Sequence, residues 1–434
     1  MSSAPSSRAP ETPTRARYTF LFLAILVAFI TYLDRVCISQ AAPAMSGDLG
    51  LSQMEMSYVF SAFALAYGIF EIPMGWLGDR FGQRKLLTRI VAGWSLFTVL
   101  TGMVKSYFLL LLTRFAFGAA EAGAFPTLAR ALARWFPQIE RGRVNGFMWM
   151  GARAGAALAP PIAAWCIAAI GWRETFYLFG SVGSLWCIAF WRWYRDDPAD
   201  HPAVNEAELE YIQSGTVQSK PQAKLPWTKV FQSGTLWALF VMYFCSAYGS
   251  FFFVTWMPTY LMEEHGMTLE RSGLLSGLPM GIGAGACLVG GVFSDWLIRR
   301  TGSIKWGRRI VGIGGYGLAA VGFGIAAQSR DAWSAVLWLS FAQGVQDLAL
   351  PVAWATCVDV GGRLGGTATG FMNTASSMSA MISPIAAAWL RKTYGSFTVM
   401  FSSCIVIYFI ASVMWMILDP SKTIQDEEEE HAGA

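Results

Sequence analysis

GWLGDRFGQRK, residues 75–85, is the stretch of sequence that decides the fold. It follows an apolar run and places Gly75 four residues before Asp79, with Gly82 three residues further on. A related stretch, GVFSDWLIRR at 291–300, again has a glycine four residues before an acid. Small residues let helices approach closely, and an acid can cap or pair with the ends of neighbouring helices. Both stretches therefore predict the ends of tightly packed helices, and their repetition indicates two related halves.

The composition of the chain predicts a protein that crosses a membrane many times. The 434 residues are 54% hydrophobic and 14% charged, whereas soluble domains have roughly 45–50% apolar and 25% charged residues. Apolar stretches near the ~20 residues needed to cross a bilayer recur along almost the whole chain. The first of them has no small-residue cleavage pattern, so we expect it to remain in the mature protein. The predicted spans are 17–43, 54–77, 85–104, 107–131, 143–169, 173–194, 233–262, 270–297, 308–327, 332–358, 366–390 and 396–418.

The distribution of lysine and arginine predicts the orientation. Most of the 32 basic residues fall in the segments on the same side as the N-terminus, which the positive-inside rule places in the cytoplasm. We therefore expect both termini to be cytoplasmic and the protein to lie in a bacterial cytoplasmic (inner) membrane. The predicted regions are a disordered N-terminus at 1–16, a six-helix bundle at 17–194, a cytoplasmic linker with a short surface helix at 195–231, a second six-helix bundle at 232–418 and an acidic tail at 419–434.

Several classes of function find no support in the residues. The net charge of +4 follows from the sidedness of the basic loops and indicates no nucleic-acid partner. The seven cysteines lie singly within spans and the three histidines are scattered, so neither a disulfide framework nor a metal site is predicted. We find no nucleophile paired with a base, no phosphate-binding loop and no appended soluble domain in the sequence, so an enzyme is not predicted.

The chain resembles a known family. GWLGDRFGQRK matches the motif G-x-L-x-D-R-x-G-x-[RK]-[RK] of the major facilitator superfamily. Within it the chain resembles the anion:cation symporter family, which includes bacterial galactonate, glucarate and hexuronate transporters and animal vesicular glutamate and sialic acid carriers. The matching stretches are TYLDRVCIS at 31–39, SAFALAYGIFEIPMGWLGDRFG at 61–82, TRFAFGAAEAGAFP at 113–126, DDPADHP at 196–202 and FVTWMPTYL at 253–261. The resemblance implies an all-α membrane protein of twelve transmembrane helices in two pseudo-symmetric six-helix bundles, and a monomer.

Charged residues inside the spans are the first candidates for function. A charge at the bilayer centre costs ~2.5–3.5 kcal/mol even on the insertion scale, so such residues are rarely there by accident. Asp34 and Arg35 lie well inside the first span. Arg114 and Glu121 are seven residues apart, which is two helical turns, and so share one face of the fourth span. We expect these faces to converge on one cavity, although two fixed ion pairs that hold helices together remain an alternative.

The resemblance assigns roles to these residues. It implies that Asp34 and Glu121 couple transport to protons, and that Arg35 and Arg114 bind the substrate carboxylate or hold the acids. It also implies that aromatic and amide side chains contact the polyol or ring of the substrate. These side chains are Tyr32, Tyr67, Trp354 and Asn373.

Other intramembrane polar residues have no settled role. Arg153 is predicted either to bind a second acidic group or to pair with an acid such as Asp347. Glu71 stands where the family often has Gln, and it is expected to act in helix packing, gating or proton transfer. Gln346 and Asp347 lie in the tenth span at the position that corresponds to Glu121 in the fourth span. A gating role at the helix ends is implied for Gly75, Asp79, Arg80, Gly82, Arg84 and Asp295.

These observations predict a secondary active importer that needs no cofactor. We expect it to carry a small organic anion, a sugar acid or related monocarboxylate, together with protons by alternating access of the two bundles. Sodium coupling, anion exchange or export of another organic anion is the first alternative. A membrane sensor or enzyme that moves no solute is the remote one.

Overall fold

The computed structural model of the chain describes residues 12–214, 227–394 and 397–424. Every regular element in these ranges is helical. Ten helical segments are long and apolar enough to cross a membrane; one of them, Ala332–Ser383, contains two successive helices, and Trp172–Trp193 is a further helix of 22 residues. The described residues therefore contain the twelve expected spans. Three of the predicted segments lie partly outside the described residues: the N-terminus expected to be disordered (1–11), the middle of the linker (215–226) and the acidic tail (beyond 424).

The N-terminal half contains six spans, of which the fourth is split into two helices. A capping box between Ser52 and Glu55 marks the start of the second span, as expected where the first turn of a helix must satisfy its free N–H groups. The helices are α1 (Ala16–Leu49), α2 (Gln53–Phe81), α3 (Gln83–Met103), α4 (Tyr107–Glu121), α5 (Ala124–Trp135), α6 (Arg141–Ile170) and α7 (Trp172–Trp193).

The C-terminal half follows a short linker helix, α8 (Glu206–Gln213), and again contains six spans. Its first two spans are each built from two helices, with breaks at Trp256 and Gly277. The helices are α9 (Gly234–Thr255), α10 (Met257–His265), α11 (Leu269–Ser276), α12 (Leu278–Thr301), α13 (Ile304–Ala326), α14 (Ala332–Gly361), α15 (Gly365–Tyr394) and α16 (Phe397–Ile417).

The break between α4 and α5 lies beside a charged residue of the site. Gly123 has a φ of 80°, a conformation that L side chains rarely adopt, and a Cβ there would lie 2.4 Å from the Cβ of Met74. Hydropathy predicts the fourth span as one continuous helix over 107–131. It is interrupted instead because Gly123 turns the chain, which places Glu121 at the very end of α4.

The linker helix α8 packs on the N-terminal half. Glu208 is completely buried and accepts hydrogen bonds from the backbone N–H groups of Ala16 and Arg17 and from the Arg17 guanidinium at 3.1 to 3.3 Å. These backbone groups open α1 and would otherwise lack partners. The linker therefore caps the first span, and the end of the bundle where α1 begins is called the linker end below.

The two halves meet through α2 with α15 and through α6 with α12. Glycines allow the close approach at the linker end: a Cβ on Gly75 would lie 2.3 Å from the carbonyl oxygen of Gly366, and one on Gly291 would lie 2.2 Å from that of Gly142. The two glycines of the repeated stretches therefore make equivalent contacts between the halves.

Candidate substrate site

A cavity of about 960 Å³ lies between the two halves. Its volume is at the upper end of the ~300–1,000 Å³ typical of small-molecule sites. It is not enclosed, and since the halves are packed together at the linker end, it opens away from that end. The N-terminal half supplies two arginines to its wall and the C-terminal half supplies mainly uncharged polar groups. Its polar lining includes Tyr32, Arg35, Ser39, Tyr67, Arg153, Tyr243, Ser246, Ser250, Asp347, Asn373, Ser376 and Ser377.

Arg35 forms an ion pair with Glu121 at the cavity wall. Its Nε and Nη2 atoms both donate to Oε1 of Glu121, at 3.1 and 2.6 Å. The carboxylate is only 1% exposed and its Oε2 has no hydrogen-bond partner among the described residues, whereas the Arg35 side chain is 24% exposed and lines the cavity. The guanidinium also lies over the rings of Tyr32, Phe63 and Tyr67 at 4.9 to 5.3 Å. A solute in the cavity can therefore reach the arginine but not the acid behind it.

Arg114 and Asp34 lie behind this pair. The spacing of Arg114 and Glu121 suggests that they pair, but in the structure Glu121 forms its ion pair with Arg35. Arg114 is 2% exposed, its Nε has no hydrogen-bond partner within the described ranges, and its guanidinium lies 4.4 Å from the centre of the Phe117 ring. Asp34 is 1% exposed and accepts a hydrogen bond from the indole N–H of Trp94 at 3.1 Å, not from its neighbour Arg35. Neither Asp34 nor Arg114 is part of the described cavity lining.

Arg153 joins the two halves across the cavity. Its Nη2 donates to Oδ1 of Asp347 at 2.8 Å, and Asp347 also accepts from the Gln343 amide at 2.8 Å. Of the two alternatives left open by the sequence, a pair with Asp347 is therefore present. Gln346, beside it on α14, is buried and donates to the Ser250 hydroxyl at 2.5 Å.

Glu71 lies between the halves next to the cavity. The carboxylate is completely buried on α2 and accepts hydrogen bonds from the Asn373 amide and, at 3.2 Å, from the Ser377 hydroxyl, both on α15. Asn373 also donates to the Tyr67 hydroxyl at 3.5 Å. Tyr67 and Asn373 both line the cavity, so Glu71 connects its wall to the interface between the halves.

Trp354 does not contact the cavity, although the resemblance implies that it stacks against the substrate. It is completely buried, and its indole N–H donates to the Tyr243 hydroxyl at 3.0 Å. Its ring packs on those of Phe125 and Trp149. These three neighbours line the cavity and Trp354 stands behind them. In this conformation it supports the wall of the site from behind.

The acids of the two repeated stretches cap helices of the opposite half. Asp79 accepts hydrogen bonds from the backbone N–H groups of Gly366 and Thr367, at the start of α15, at 2.9 and 2.8 Å. Asp295 does the same for Gly142 and Arg143 at the start of α6, at 3.1 and 2.6 Å. A carboxylate at a helix N-terminus satisfies free N–H groups and interacts favourably with the helix dipole. The same type of contact, a carboxylate capping a helix of the opposite half, therefore occurs twice and holds the two halves together at the linker end.

The comparison with protein families agrees with this architecture. The family model described as Major Facilitator Superfamily matches residues 24–305 and 301–434, which is nearly the whole chain. The chain belongs to the Major Facilitator Superfamily. Members of this superfamily with the same fold and similar sequences are transporters, so the protein is not an enzyme.

Relatives within the superfamily are named as transporters of organic anions. The chain is 34% identical over 421 residues to a probable sulfoacetate transporter, SauU, of Cupriavidus necator, covering 96% of this chain and 97% of the relative. It is 32% identical over 410 residues to a probable galactarate/D-glucarate transporter, GudP, of Escherichia coli, covering 89% and 90%. These relatives place the chain in the anion-transporting group of the superfamily.

Solved structures show the same fold at low sequence identity. The transporter FucP in its outward conformation superposes with a TM-score of 0.74 at 13% identity, covering 93% of this chain and 100% of that chain. The proton:xylose symporter XylE gives a TM-score of 0.71 at 13% identity, covering 95% and 98%. At such identities the likeness shows the fold alone.

Not every residue of the superfamily motif lies between the halves. Gly75 and Asp79 do, but Gly82 and Arg84 contact the end of α7 and the start of the linker within the N-terminal half. The backbone N–H of Arg84 donates to Asp196 at 2.9 Å, and a Cβ on Gly82 would lie 2.6 Å from the same carboxylate. Arg80 lies over the Trp76 ring. Only part of the motif therefore acts on the interface in this conformation.

One polar face of the site is absent from the residues singled out by sequence. Tyr243, Ser246 and Ser250 line the cavity from α9. They are three and seven residues apart, the spacing of one helix face, in an otherwise apolar span. That pattern is visible in the sequence. Hydroxyl groups inside spans also form hydrogen bonds with their own helix backbone, so they indicate a binding site less specifically than charged groups do.

Proposed function

We propose that this superfamily member is a proton-coupled symporter that takes up a small organic anion, a sugar acid or related carboxylate, by alternating access. The linker end and both termini face the cytoplasm of a bacterium in this proposal. The names of the relatives support the substrate class, and the two arginines in the cavity wall of the N-terminal half support an anion. The hydroxyl and amide groups of the C-terminal half suit the hydroxyl groups of a sugar acid.

The observation that carries the proposal is the ion pair between Arg35 and Glu121. Arg35 is the exposed partner and Glu121 the buried one, so an incoming carboxylate competes with Glu121 for the same guanidinium. A carboxylate that loses its cationic hydrogen-bond partner in a buried site favours the protonated form, because an unpaired charge there is costly. Binding of the anion and binding of a proton are therefore linked.

Arg114 and Asp34 extend this electrostatic link behind the wall. Arg114 is a buried cation whose Nε has no hydrogen-bond acceptor among the described residues, so it contributes positive potential to the site without holding Glu121 in place. Asp34 is a buried acid bonded to a neutral indole N–H. A second proton can be carried there, close enough to interact electrostatically with Glu121.

The proposal is tested with the variant Glu121→Gln in proteoliposomes. Glutamine keeps the size of the side chain but cannot release a proton, so we expect accumulation driven by a pH gradient to be lost while exchange of labelled for unlabelled anion remains. Glu55→Gln, an exposed carboxylate in the capping box of α2, is the control and should accumulate the anion normally. Undiminished proton-driven accumulation by Glu121→Gln would contradict the proposal.

The same vesicles distinguish the other coupling modes. An inward sodium gradient without a pH gradient should drive no accumulation if protons are the coupling ion. Accumulation that requires sodium, or that requires an anion inside the vesicle, would instead indicate sodium coupling or obligatory exchange.

A further inference from the structure

We infer that the site takes a small dianion, with one acidic group bound to Arg35 and the second bound to Arg153. This inference rests on the proposed function and refines it, because the sequence favours a monocarboxylate. The observation behind it is that two arginines of the same half line one cavity, each paired with a carboxylate that a ligand group can replace.

Both arginines lie near the same tyrosine. The Arg35 guanidinium lies 5.3 Å from the centre of the Tyr32 ring. Arg153 also interacts electrostatically with Tyr32, and its helix α6 packs against α1 in this region, since a Cβ on Gly155 would lie 3.2 Å from the Tyr32 Cβ. Arg35, Tyr32 and Arg153 all line the cavity. A ligand in this cavity is therefore exposed to both guanidinium groups.

Both arginines keep hydrogen-bonding capacity for a ligand. A guanidinium carries five N–H donors. Arg35 directs two of them to a single oxygen atom of Glu121. Arg153 directs one to Asp347 and makes a weak contact with the sulfur of Met280 at 3.8 Å. Their side chains are 24% and 16% exposed. Carboxylate and similar planar or trigonal oxygen groups match the donors that remain.

The pair of Arg153 and Asp347 differs from the ion pairs that hold the halves together elsewhere. At the linker end Asp359 forms ion pairs with both Arg141 and Arg308, and the Arg308 side chain is 1% exposed. That cluster is not part of the described cavity lining. Arg153 and Asp347 both line the cavity, so their pair is open to competition from a ligand.

Asp347 can release Arg153 without losing all of its partners. Its second oxygen accepts a hydrogen bond from Gln343 at 2.8 Å, and this bond lies within α14. A ligand group that takes Arg153 therefore replaces a contact between the halves by a contact with the substrate. A monoanion can replace only one of the two protein carboxylates, whereas a dianion replaces both.

The test compares matched ligands that differ by one acidic group. D-Glucarate and D-gluconate, galactarate and D-galactonate, and sulfoacetate and acetate are titrated against the purified protein, and the dissociation constants are measured by calorimetry or thermal stabilisation. We expect the dianion of at least one pair to bind about tenfold or more tightly than its monoanion, as an additional charge-assisted contact requires. The sugar-acid and sulfonate pairs distinguish a dicarboxylate from a sulfonated carboxylate.

The variant Arg153→Gln with Asp347→Asn removes both charges together and so leaves no unpaired charge in the protein. We expect it to lose the preference for the dianion, so that the ratio of the dissociation constants of monoanion and dianion falls toward one. Arg153→Lys keeps the charge without the planar fork. It should keep part of the preference, and it serves as the test if the double variant does not fold.

The outcomes separate this inference from the proposed function. Equal binding of dianion and monoanion by the wild type, or a dianion preference that survives in the double variant, would overturn the dianion while leaving anion transport intact. If Arg35→Gln leaves binding of every ligand unchanged, or if no anion of the panel binds the wild type, the proposed function fails together with the inference.

Discussion

Glu71 shows how a single residue can link the cavity to the interface between the halves. Its carboxylate has two uncharged donors, Asn373 and Ser377, and both belong to the opposite half. A buried group of this kind is stabilising only while those donors remain in place. The family resemblance points to Gln at this position, and either residue offers an acceptor to Asn373.

We expect Glu71→Ala to lower the free energy of unfolding by about 1–3 kcal/mol, because the buried Asn373 amide loses its acceptor on Glu71 and keeps the long contact with the Tyr67 hydroxyl. Glu71→Gln keeps an acceptor oxygen and should cost clearly less. Thermal unfolding of the two variants in the same detergent measures the difference. Equal stability of Glu71→Ala and the wild type would show that these contacts between the halves contribute little.

The charged residues of the spans illustrate what can be read residue by residue. The cost of a charge in a membrane is enough to single out Arg35, Glu121, Arg153 and Asp347 from the sequence, and all four lie at or directly behind the cavity wall. Their partners cannot be read in the same way. The spacing of Glu121 suggests Arg114 as its partner, but contacts across helices depend on how each helix is rotated, which spacing along one helix does not contain.

At the scale of elements, residues 195–214 of the linker are a folded part of the N-terminal half. His201 is 6% exposed and packs against the rings of Trp135 and Trp193. The packing of this ring and the capping of α1 by Glu208 hold the segment that follows α7 against the N-terminal half. A polar segment between two bundles suggests a connector, but burial of His201 and Glu208 depends on surfaces that only the packed bundle provides.

The linker should loosen below about pH 6.5. One ring nitrogen of His201 lies 2.9 Å from the Trp193 carbonyl and the other accepts from the Ala203 N–H at 3.2 Å, so both sites are satisfied by the neutral ring. Burial lowers the pKa of His201 and Arg195 adds to this, while the Trp193 carbonyl and Glu208 oppose it. A lowered pKa in the folded state means that the stabilisation is present above the unfolded pKa of about 6.5 and is lost as the pH falls.

Hydrogen exchange of residues 198–214, corrected for the intrinsic rate, measures this effect. We expect faster exchange at pH 5.5 than at pH 7.5 in the wild type. In His201→Phe, which retains an aromatic ring but cannot titrate, exchange should be independent of pH. The same pH dependence in both proteins would assign it to another group.

At the scale of the whole molecule, alternating access requires that the contacts at the linker end break and reform. The repeated stretches supply these contacts symmetrically, with Asp79 capping α15 and Asp295 capping α6. Glycines beside them let the backbones touch. Closure at this end therefore depends on backbone contacts between the halves, which a single methyl group can disturb.

We expect Gly291→Ala to shift the population away from this closed arrangement. The added Cβ would lie 2.2 Å from the Gly142 carbonyl oxygen, and since that atom belongs to helix backbone, the halves must separate. Gly285→Ala in the same helix is the control, because nothing in the described part of the chain lies within 4 Å of its Cβ. There alanine should stabilise the helix by about 0.5–1 kcal/mol.

The distance between the halves is measured with spin labels on cysteines introduced at the exposed positions Lys85 and Arg300, since the native cysteines are buried. Gly291→Ala should broaden the distribution toward longer distances, and Gly285→Ala should reproduce that of the wild type. An unchanged distribution in Gly291→Ala would mean that the backbone contact does not limit closure.

The sequence by itself determined the number of spans, the two related halves, the superfamily and the charged residues of the site, because hydropathy, motif spacing and the cost of buried charge act along the chain. Only the tertiary structure decided which charges pair. It placed Glu121 with Arg35, Asp34 with Trp94 and Arg153 with Asp347, and it moved Trp354 behind the wall. These contacts depend on helix rotation, on the break at Gly123 and on the approach of the two halves, which are set by packing between segments far apart in the sequence.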